Sequence, residues 1–561
     1  MSRSLFDPLG VDQALYQYMT DRVIAGQTLY VDVWDQNLPG IIAIHWISTR
    51  LFGNSAFAFR LFDACWQVLT LVTLAALVRS HSRSWTTGLL AALLYSLAYY
   101  GYGYMQTGQR EGFAVLPLLV ALHAIVHGSS RNGRLTAGAA YFAAGVMCLL
   151  AFMIKPPLGL CYGVLWCWIL AEACRDRHHA SASWARFVGL TVGFLIAVAG
   201  VAVLLAHLGI LKETWRLLIR ADMQGYVTSP GLIRSIAPEL AVGVLAITGV
   251  GFARAFWSYR TAGHGAWKAC LKDTHWMAVG IVAYCVFMTA YRWDCWRTYI
   301  VVPSLGLLLP AAGALAQAPW FGRARVWRGL MLVGVASFVA LVMQGRFSPY
   351  QAMPMLACAA GLAAIEIADR WHILVTHSRQ SAGWLAICLA AVTHTGVGLW
   401  WHQMTAFTTE PYVLAARSLD EHYDRVTKHK RKFPRHATTM RVARRVQELT
   451  PAGEPIVSLS ADSRLLYYCA RPSIDRLFYV IDLYAHFYPA QMRAIREHKP
   501  KVILACTPAA GRDSEDLSSI EKAIFDEAES TFGPEARYLR EEYRLTEKID
   551  DICLLQPKQV R

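Results

Sequence analysis

Asp12 and Asp35 are the two side chains in this sequence best suited to proton chemistry. Each lies close to an aromatic residue, Tyr16 or Trp34, in a polar stretch ahead of the first long apolar run. A carboxylate in that setting accepts a proton from a hydroxyl nucleophile. The plainer alternative is a solvated or helix-capping Asp, the usual state of a carboxylate in an interfacial loop. Lys155 falls between an apolar helix and Pro156-Pro157, an expensive place for an ammonium that has no task there. Other chemistries lack their motifs. No G-x-x-x-x-G-K-S/T loop and no strand-borne G-x-G-x-x-G is present for a nucleotide. The 18 histidines hold no H-E-x-x-H and the 13 cysteines no C-x-x-C pair, so no metal site is expected. The cysteines lie mostly in apolar helices as small hydrophobes, and Cys469, Cys506 and Cys553 allow one disulfide at most. No cofactor is expected, with a divalent cation as the open alternative.

The elements that must position these residues are membrane helices. Of 561 residues, 55% are hydrophobic and 17% charged, against roughly a quarter charged in soluble domains. The last 161 positions hold 48 of the charged residues and the first 400 only 45, so the chain reads as a membrane region followed by a soluble domain. Apolar stretches of at least about 17 residues predict twelve helices, near 55–79, 85–104, 111–127, 135–154, 157–174, 185–208, 237–256, 275–292, 297–317, 326–343, 349–368 and 383–401. The membrane region carries a net charge of +13, and its basic residues cluster in every second connection, at Arg79 and Arg83, Arg131 and Arg134, Arg175 to Arg186, Arg254 to Lys272, Arg323 to Arg328, and Arg370 and Arg379. These loops are cytoplasmic by the positive-inside bias, which also accounts for the overall charge of +15 without a nucleic-acid partner. The opposite loops, residues 1–38 and the tail then face outward. An outward segment at 1–38 needs a preceding helix to carry it across, so a start upstream of Met1 is expected.

Asp7-Pro8 reads as a helix start and Gly26 as its stop. Val11, Leu15, Met19 and Val23 form one apolar stripe, with Asp12, Gln13, Asp21 and Arg22 off it. The helix is expected to lie on the membrane surface. Gly40 to Phe52 is apolar but too short to span, and is expected in the interface with Trp46 as anchor.

Residues 11–40, V-D-Q-A-L-Y-Q-Y-M-T-D-R-V-I-A-G-Q-T-L-Y-V-D-V-W-D-Q-N-L-P-G, with Leu51-Phe52-Gly53-Asn54-Ser55 and Arg60-Leu61, resemble the opening of a GT-C superfamily membrane glycosyltransferase. The nearest branch is the protein O-mannosyltransferases and lipid A aminoarabinose transferases (family 39-like). Weaker likenesses are Gln109-Arg110-Glu111, Lys155-Pro156-Pro157 and Arg346-Phe347-Ser348-Pro349-Tyr350. The resemblance covers about residues 10–400. It implies a bundle of eleven to thirteen helices with interfacial helices in the first loop, and a sugar taken from a polyprenyl phosphate on the outer face. It places Asp12 at the catalytic carboxylate and Asp35-Gln36 in the second motif. Relatives commonly carry Lys and Pro where this chain has Asn37 and Leu38, which removes one expected phosphate contact.

Such a transfer needs a base for the acceptor hydroxyl and positive charge for the departing phosphate. Asp12 is the expected base, supported by Asp35. The phosphate side is expected to use Lys155, Arg110, Arg297 and Arg346, since a guanidinium binds two oxygens at once. Arg292, Arg216 and Arg220 are outer candidates that also fit snorkelling to headgroups. Glu111 and Tyr350 are expected to bind substrate. Asp63 faces the cavity or pairs with Arg60 and is left out of the site.

The tail alternates helix and strand. Met440–Leu449, Tyr484–His498 and Ser514–Ser530 read as helices, and Pro455–Ser460, Lys501–Thr507 and Ile552–Gln556 as strands. A small α/β domain with a mainly parallel sheet follows, and the Lys428–Lys432 run reads as a solvated linker. The fold class is therefore mainly α: a polytopic transmembrane helical bundle over 53–402, a first loop over 1–52 and an extracytoplasmic α/β domain over 403–561. The expected function is an integral, multi-pass glycosyltransferase of the plasma (inner) membrane. Its partners are membrane lipids, a polyprenyl phosphate sugar donor and a lipid, glycan or protein acceptor. The rivals are a secondary transporter, which ordinarily carries midplane charges and repeated halves, and a glycan-handling scaffold without transferase activity.

Overall fold

A computed structural model describes residues 3–129, 134–176, 180–219, 325–344, 348–377, 421, 423, 435–480, 487–508 and 516–558. The expected spans at 237–256, 275–292, 297–317 and 383–401 lie outside the described residues, as do Arg220, Arg292, Arg297, Arg346 and the 428–432 run. The chain divides into two compact units, one of Met1–Phe62, Leu204–Asp222 and Glu410–Arg561, the other of Asp63–Val203 and Met223–Thr409.

The second unit is helical. Its described elements are α3 (Ala56–Ser82, most of which belongs here), α4 (Trp85–Gly101), α5 (Arg110–Ser129), α6 (Arg134–Ile154), α7 (Gly159–Arg175), α8 (Ala180–His207), α10 (Arg325–Gln344) and α11 (Met353–His377). The eight expected spans that fall on described residues are all helical. Among the described residues six helices are long and apolar enough to cross a membrane. Leu195, Ile196 and Val203 stand exposed on α8. Each leaves about 1.5–3 kcal/mol of burial free energy unused in water, and a hydrocarbon surround removes that cost. Close approach of helices depends on small residues, as in membrane bundles generally. A Cβ on Gly193 of α8 would meet the carbonyl oxygen of Phe142 on α6 at 2.1 Å, and one on Gly189 would meet that of Gly138 at 2.4 Å. Helix α5 carries Pro117 in its interior; lacking an N–H, Pro117 breaks the backbone bond to Phe113 four residues earlier.

The first unit joins the N-terminal segment to the tail. It begins with α1 (Val11–Ile24) and α2 (Gly40–Phe52), and includes α9 (Leu211–Ile219). The α1 helix forms, and it stops as expected at Gly26, whose φ is +95°. Its start and its setting differ from the sequence expectation. Asp7-Pro8 lies upstream, and the N-cap is Gly10, whose N–H donates to Gln13 Oε1 at 2.5 Å. The residues from Gln13 to Thr20 are all buried, Gln17 and Thr20 included. The helix is therefore enclosed rather than laid on a surface. The physical reason is that its polar side has protein partners: Arg60 Nη2 donates to Gln13 Oε1 at 3.0 Å, and Gln17 Nε2 to Thr49 Oγ1 at 2.8 Å. On α2, Trp46 and Leu51 are exposed, as an interfacial helix requires.

The tail contributes α12 (His436–Leu449), β1 (Val457–Leu459), α13 (Arg464–Cys469), α14 (Tyr488–His498), β2 (Ile503–Cys506), α15 (Leu517–Phe532), α16 (Arg537–Glu542), β3 (Tyr543–Ile549) and β4 (Ile552–Pro557). The sheet order is β1-β2-β4-β3. Within this sheet β1 and β2 pair parallel, whereas β2 with β4 and β3 with β4 are antiparallel. This corrects the expected mainly parallel sheet. The cause is β3, whose polar Glu547 and Lys548 hide its strand period. It folds back on β4 through a tight turn at Asp550, a residue with φ +51°, which Asp tolerates better than most.

Candidate functional site

Asp12 sits in the first turn of α1, half-buried, where the helix N-terminus favours negative charge. Two side chains, Ser463 and Arg60, fix that turn. Ser463 Oγ of the tail donates to the Val11 carbonyl at 2.5 Å, and Arg60 Nη2 bonds Pro8 O at 2.6 Å as well as Gln13.

Asp35 belongs to the same unit and is fully buried. Tyr479 Oη donates to its Oδ1 at 2.6 Å, the Asn37 N–H donates to its Oδ2 at 3.1 Å, and the Asn37 side-chain amide donates to Oδ2 as well. That amide also reaches Tyr16 Oη at 3.2 Å. Asn37 thus closes the turn around Asp35. The preceding chain is strained. Tyr30 has φ +67°, costly for an aromatic residue, and is held by its hydroxyl on Asn37 O at 2.7 Å and its N–H on Val33 O at 2.6 Å. The Trp34 N–H donates to Arg476 O at 2.9 Å, and the Trp34 ring packs on Phe487 with centroids 4.8 Å apart. Tyr18 Oη accepts from the Ser473 N–H at 2.9 Å; burial pushes its pKa up to about 12, so it stays a neutral hydroxyl. His45, stacked on Phe59 at 4.4 Å, is pushed down to about 3 by burial and by the Arg60 guanidinium. It carries no charge near neutral pH.

Sequence reasoning missed Tyr479, Ser463 and Arg476. They lie more than 400 residues from the loop they hold, and no local pattern marks them. Their contribution gives a first prediction. Tyr479→Phe removes a hydrogen bond to a buried carboxylate, a loss of about 1.5–3 kcal/mol. A lowered thermal midpoint of the purified chain with transfer activity retained is the expected outcome. An unchanged midpoint would place the anchoring of Asp35 elsewhere.

The other expected residues lie in the second unit. Lys155 caps the short 3-10 turn Pro156–Leu158, its N–H still bonded to Ala151 O at 2.9 Å. Its Nζ lies 2.7 Å from Glu111 Oε1, with both side chains at most 3% exposed. Arg110, also buried, precedes Glu111 at the start of α5. The three formal charges sum to +1. Tyr350 lies half-buried in the 3-10 turn Pro349–Ala352, which packs against α5, α10 and α11. The turn is fixed by Gln351, which accepts from the Ser348 N–H at 3.0 Å and donates to Gln344 Oε1 at 3.0 Å. The structure therefore joins Lys155 to Glu111 and brings the turn of Tyr350 onto the same helix. Asp12 and Asp35 belong to the other unit. Arg216, the described outer candidate, pairs with Glu213 on the exposed helix α9. No group of three His, Cys, Asp or Glu side chains among the described residues could hold a metal ion.

Residues 37–205 match the family model described as dolichyl-phosphate-mannose-protein mannosyltransferase. The matched segment runs from Asn37 into α8 and contains Arg110, Glu111 and Lys155. No curated protein matches the chain. Among solved structures, ArnT from Cupriavidus metallidurans bound to undecaprenyl phosphate has a TM-score of 0.42 and 14% identity, over 99% of this chain and 95% of that one. Its apo form gives 0.45 and 14%, over 98% and 94%.

Proposed function

We propose that this multi-pass membrane chain, whose residues 37–205 match the mannosyltransferase family model, is a glycosyltransferase. In this reading it moves a sugar from a polyprenyl phosphate to a hydroxyl of a lipid, glycan or protein acceptor. The main support is the Lys155–Glu111 pair beside Arg110, three buried charges within the matched segment. Buried ionisable groups in membrane helices mark substrate sites far more often than they serve stability.

The acceptor oxygen attacks the anomeric carbon, and the carbon–oxygen bond to phosphate breaks. The electron pair leaves with the polyprenyl phosphate, while the hydroxyl proton passes to Asp12. A single displacement of this kind inverts the anomeric centre. Lys155 and Arg110 stabilise the charge that grows on the leaving phosphate, with Arg297 and Arg346 as further cations, and Glu111 sets the position of Lys155. Tyr350 lines the substrate side. Asp35 already accepts three hydrogen bonds, so its role is to shape the loop rather than to take the proton. The reaction side is the outer face of the plasma (inner) membrane, with the tail domain on that side. No cofactor takes part in this scheme.

The test is direct. Protein purified into liposomes and supplied with a labelled sugar on undecaprenyl phosphate is expected to transfer the label to an acceptor, or to release it slowly to water. Passage of the intact lipid or of free sugar across the bilayer with no cleavage of the sugar–phosphate bond would replace this reading with transport.

A further inference from the structure

We infer that Asp63 and Trp66 on one face of α3, with Tyr99 of α4 bonded to Asp63, form the mount that orients Arg110 and Glu111 on α5. The inference rests on the donor-side role proposed above for those two residues. Asp63 and Trp66 are three residues apart and so share a helix face. Asp63 is a carboxylate buried to 2% exposure in an apolar bundle, where an ionisable group is costly to keep. Tyr99 Oη of α4 donates to Asp63 Oδ1 at 2.7 Å and accepts the Gly108 N–H at 2.7 Å. One hydroxyl thus ties α3 to the connection that leads into Arg110. Gly108 has φ +64°, a conformation that leaves its N–H turned inward for this bond and that glycine adopts without strain. Two residues past Arg110, a Cβ on Gly112 would meet Tyr99 Cε2 at 2.8 Å, so the first turn of α5 rests directly on the same ring.

Trp66 supplies the second attachment. Pro117 has no N–H, and the carbonyl it would have bonded in a regular helix belongs to Phe113. Trp66 Nε1 donates to that oxygen at 3.1 Å, with its ring edge-on to Phe113 at 5.7 Å between centroids. The gap in the helix ladder is therefore filled by α3, which fixes the turn bearing Arg110 and Glu111 relative to the rest of α5. Asp63, Trp66 and Tyr99 act through other residues and are positioning residues, not catalytic ones.

Pro117 makes the inference testable by rescue. Full-length protein in lipid nanodiscs is titrated with undecaprenyl phosphate, and its donor and acceptor KM values are measured. Trp66→Phe is expected to weaken lipid phosphate binding and raise the donor KM by about 10-fold, the equivalent of about 1.4 kcal/mol, with the acceptor KM unchanged. Adding Pro117→Ala restores an N–H to the ladder, so Trp66→Phe/Pro117→Ala should bind within about 3-fold of Pro117→Ala alone. Tyr99→Phe should weaken binding to a similar extent and should not respond to Pro117→Ala. If Trp66→Phe and Tyr99→Phe both bind as wild type, or if Pro117→Ala fails to offset Trp66→Phe, the mount is rejected. Lys155→Gln/Glu111→Gln separates the two readings. Loss of binding in that variant with no effect of Trp66→Phe or Tyr99→Phe rejects the mount alone, whereas normal binding in it rejects the donor site and the mount together.

Discussion

Asp12→Asn is expected to lower sugar transfer by about 10²–10⁴-fold, the contribution of a positioned general base, while the protein remains folded and inserted. The substitution keeps the size of the side chain and its place in the first turn of α1. Ser463 and Arg60 hold that turn through the Val11 and Pro8 carbonyls and the Gln13 side chain, none of which the change touches. What is lost is the ability to receive a proton. Asp35→Asn is expected to act differently, because it disturbs a carboxylate that accepts from Tyr479 and twice from Asn37. An amide presents one acceptor oxygen where three donors converge, so stability should fall more than turnover. Turnover numbers and thermal midpoints for both variants decide the matter. Activity of Asp12→Asn within a few fold of wild type, together with loss in Asp35→Asn, would exchange the two roles. Full activity in both would remove the base from this loop.

Lys155 carries the second large effect, and the pair with Glu111 determines how it must be tested. Lys155→Gln alone leaves a buried carboxylate unpaired, which costs about 3–5 kcal/mol, so low activity there would mix folding with chemistry. Lys155→Gln/Glu111→Gln removes both charges at matched size and should fold. Transfer by the double variant is expected to fall by about 10²–10³-fold, as when a preorganised donor to a developing anion is removed. The single variant should express poorly, and the double variant should restore folded yield but not turnover. Near-normal transfer by the folded double variant would place the phosphate clamp on other cations, beginning with Arg110.

Much of the fold is legible in the sequence. The eight apolar stretches on described residues that read as spans are all helical, and six of them are long and apolar enough to cross a membrane. A helix is the form in which an isolated apolar segment satisfies its own backbone in lipid. The helix at Val11–Ile24 ends where Gly26 predicts, though it starts later than Asp7-Pro8 suggests, and the short apolar helix at Gly40–Phe52 matches its sequence signal. The tail's strands at 457–459, 503–506 and 552–557 are legible from their apolar runs. β3 is not, because its exposed and half-buried polar residues carry no alternating pattern, and with it went the direction of the sheet.

The sequence by itself determined which residues could carry the chemistry. Asp12, Asp35, Glu111 and Lys155 stand out because charge next to apolar segments is rare and costly. Only the tertiary structure decided what each of them touches. Lys155 meets Glu111 across 44 residues of chain, and Asp35 meets Tyr479 across 444; hydrogen bonds and ion pairs depend on distance in space, which the order of residues along a chain does not encode. The setting of α1 was decided in the same way. Its apolar stripe suggests a surface helix, but the buried partners of Gln13 and Gln17 give its polar side protein to bind instead of water, and a polar face that is fully hydrogen-bonded can be buried.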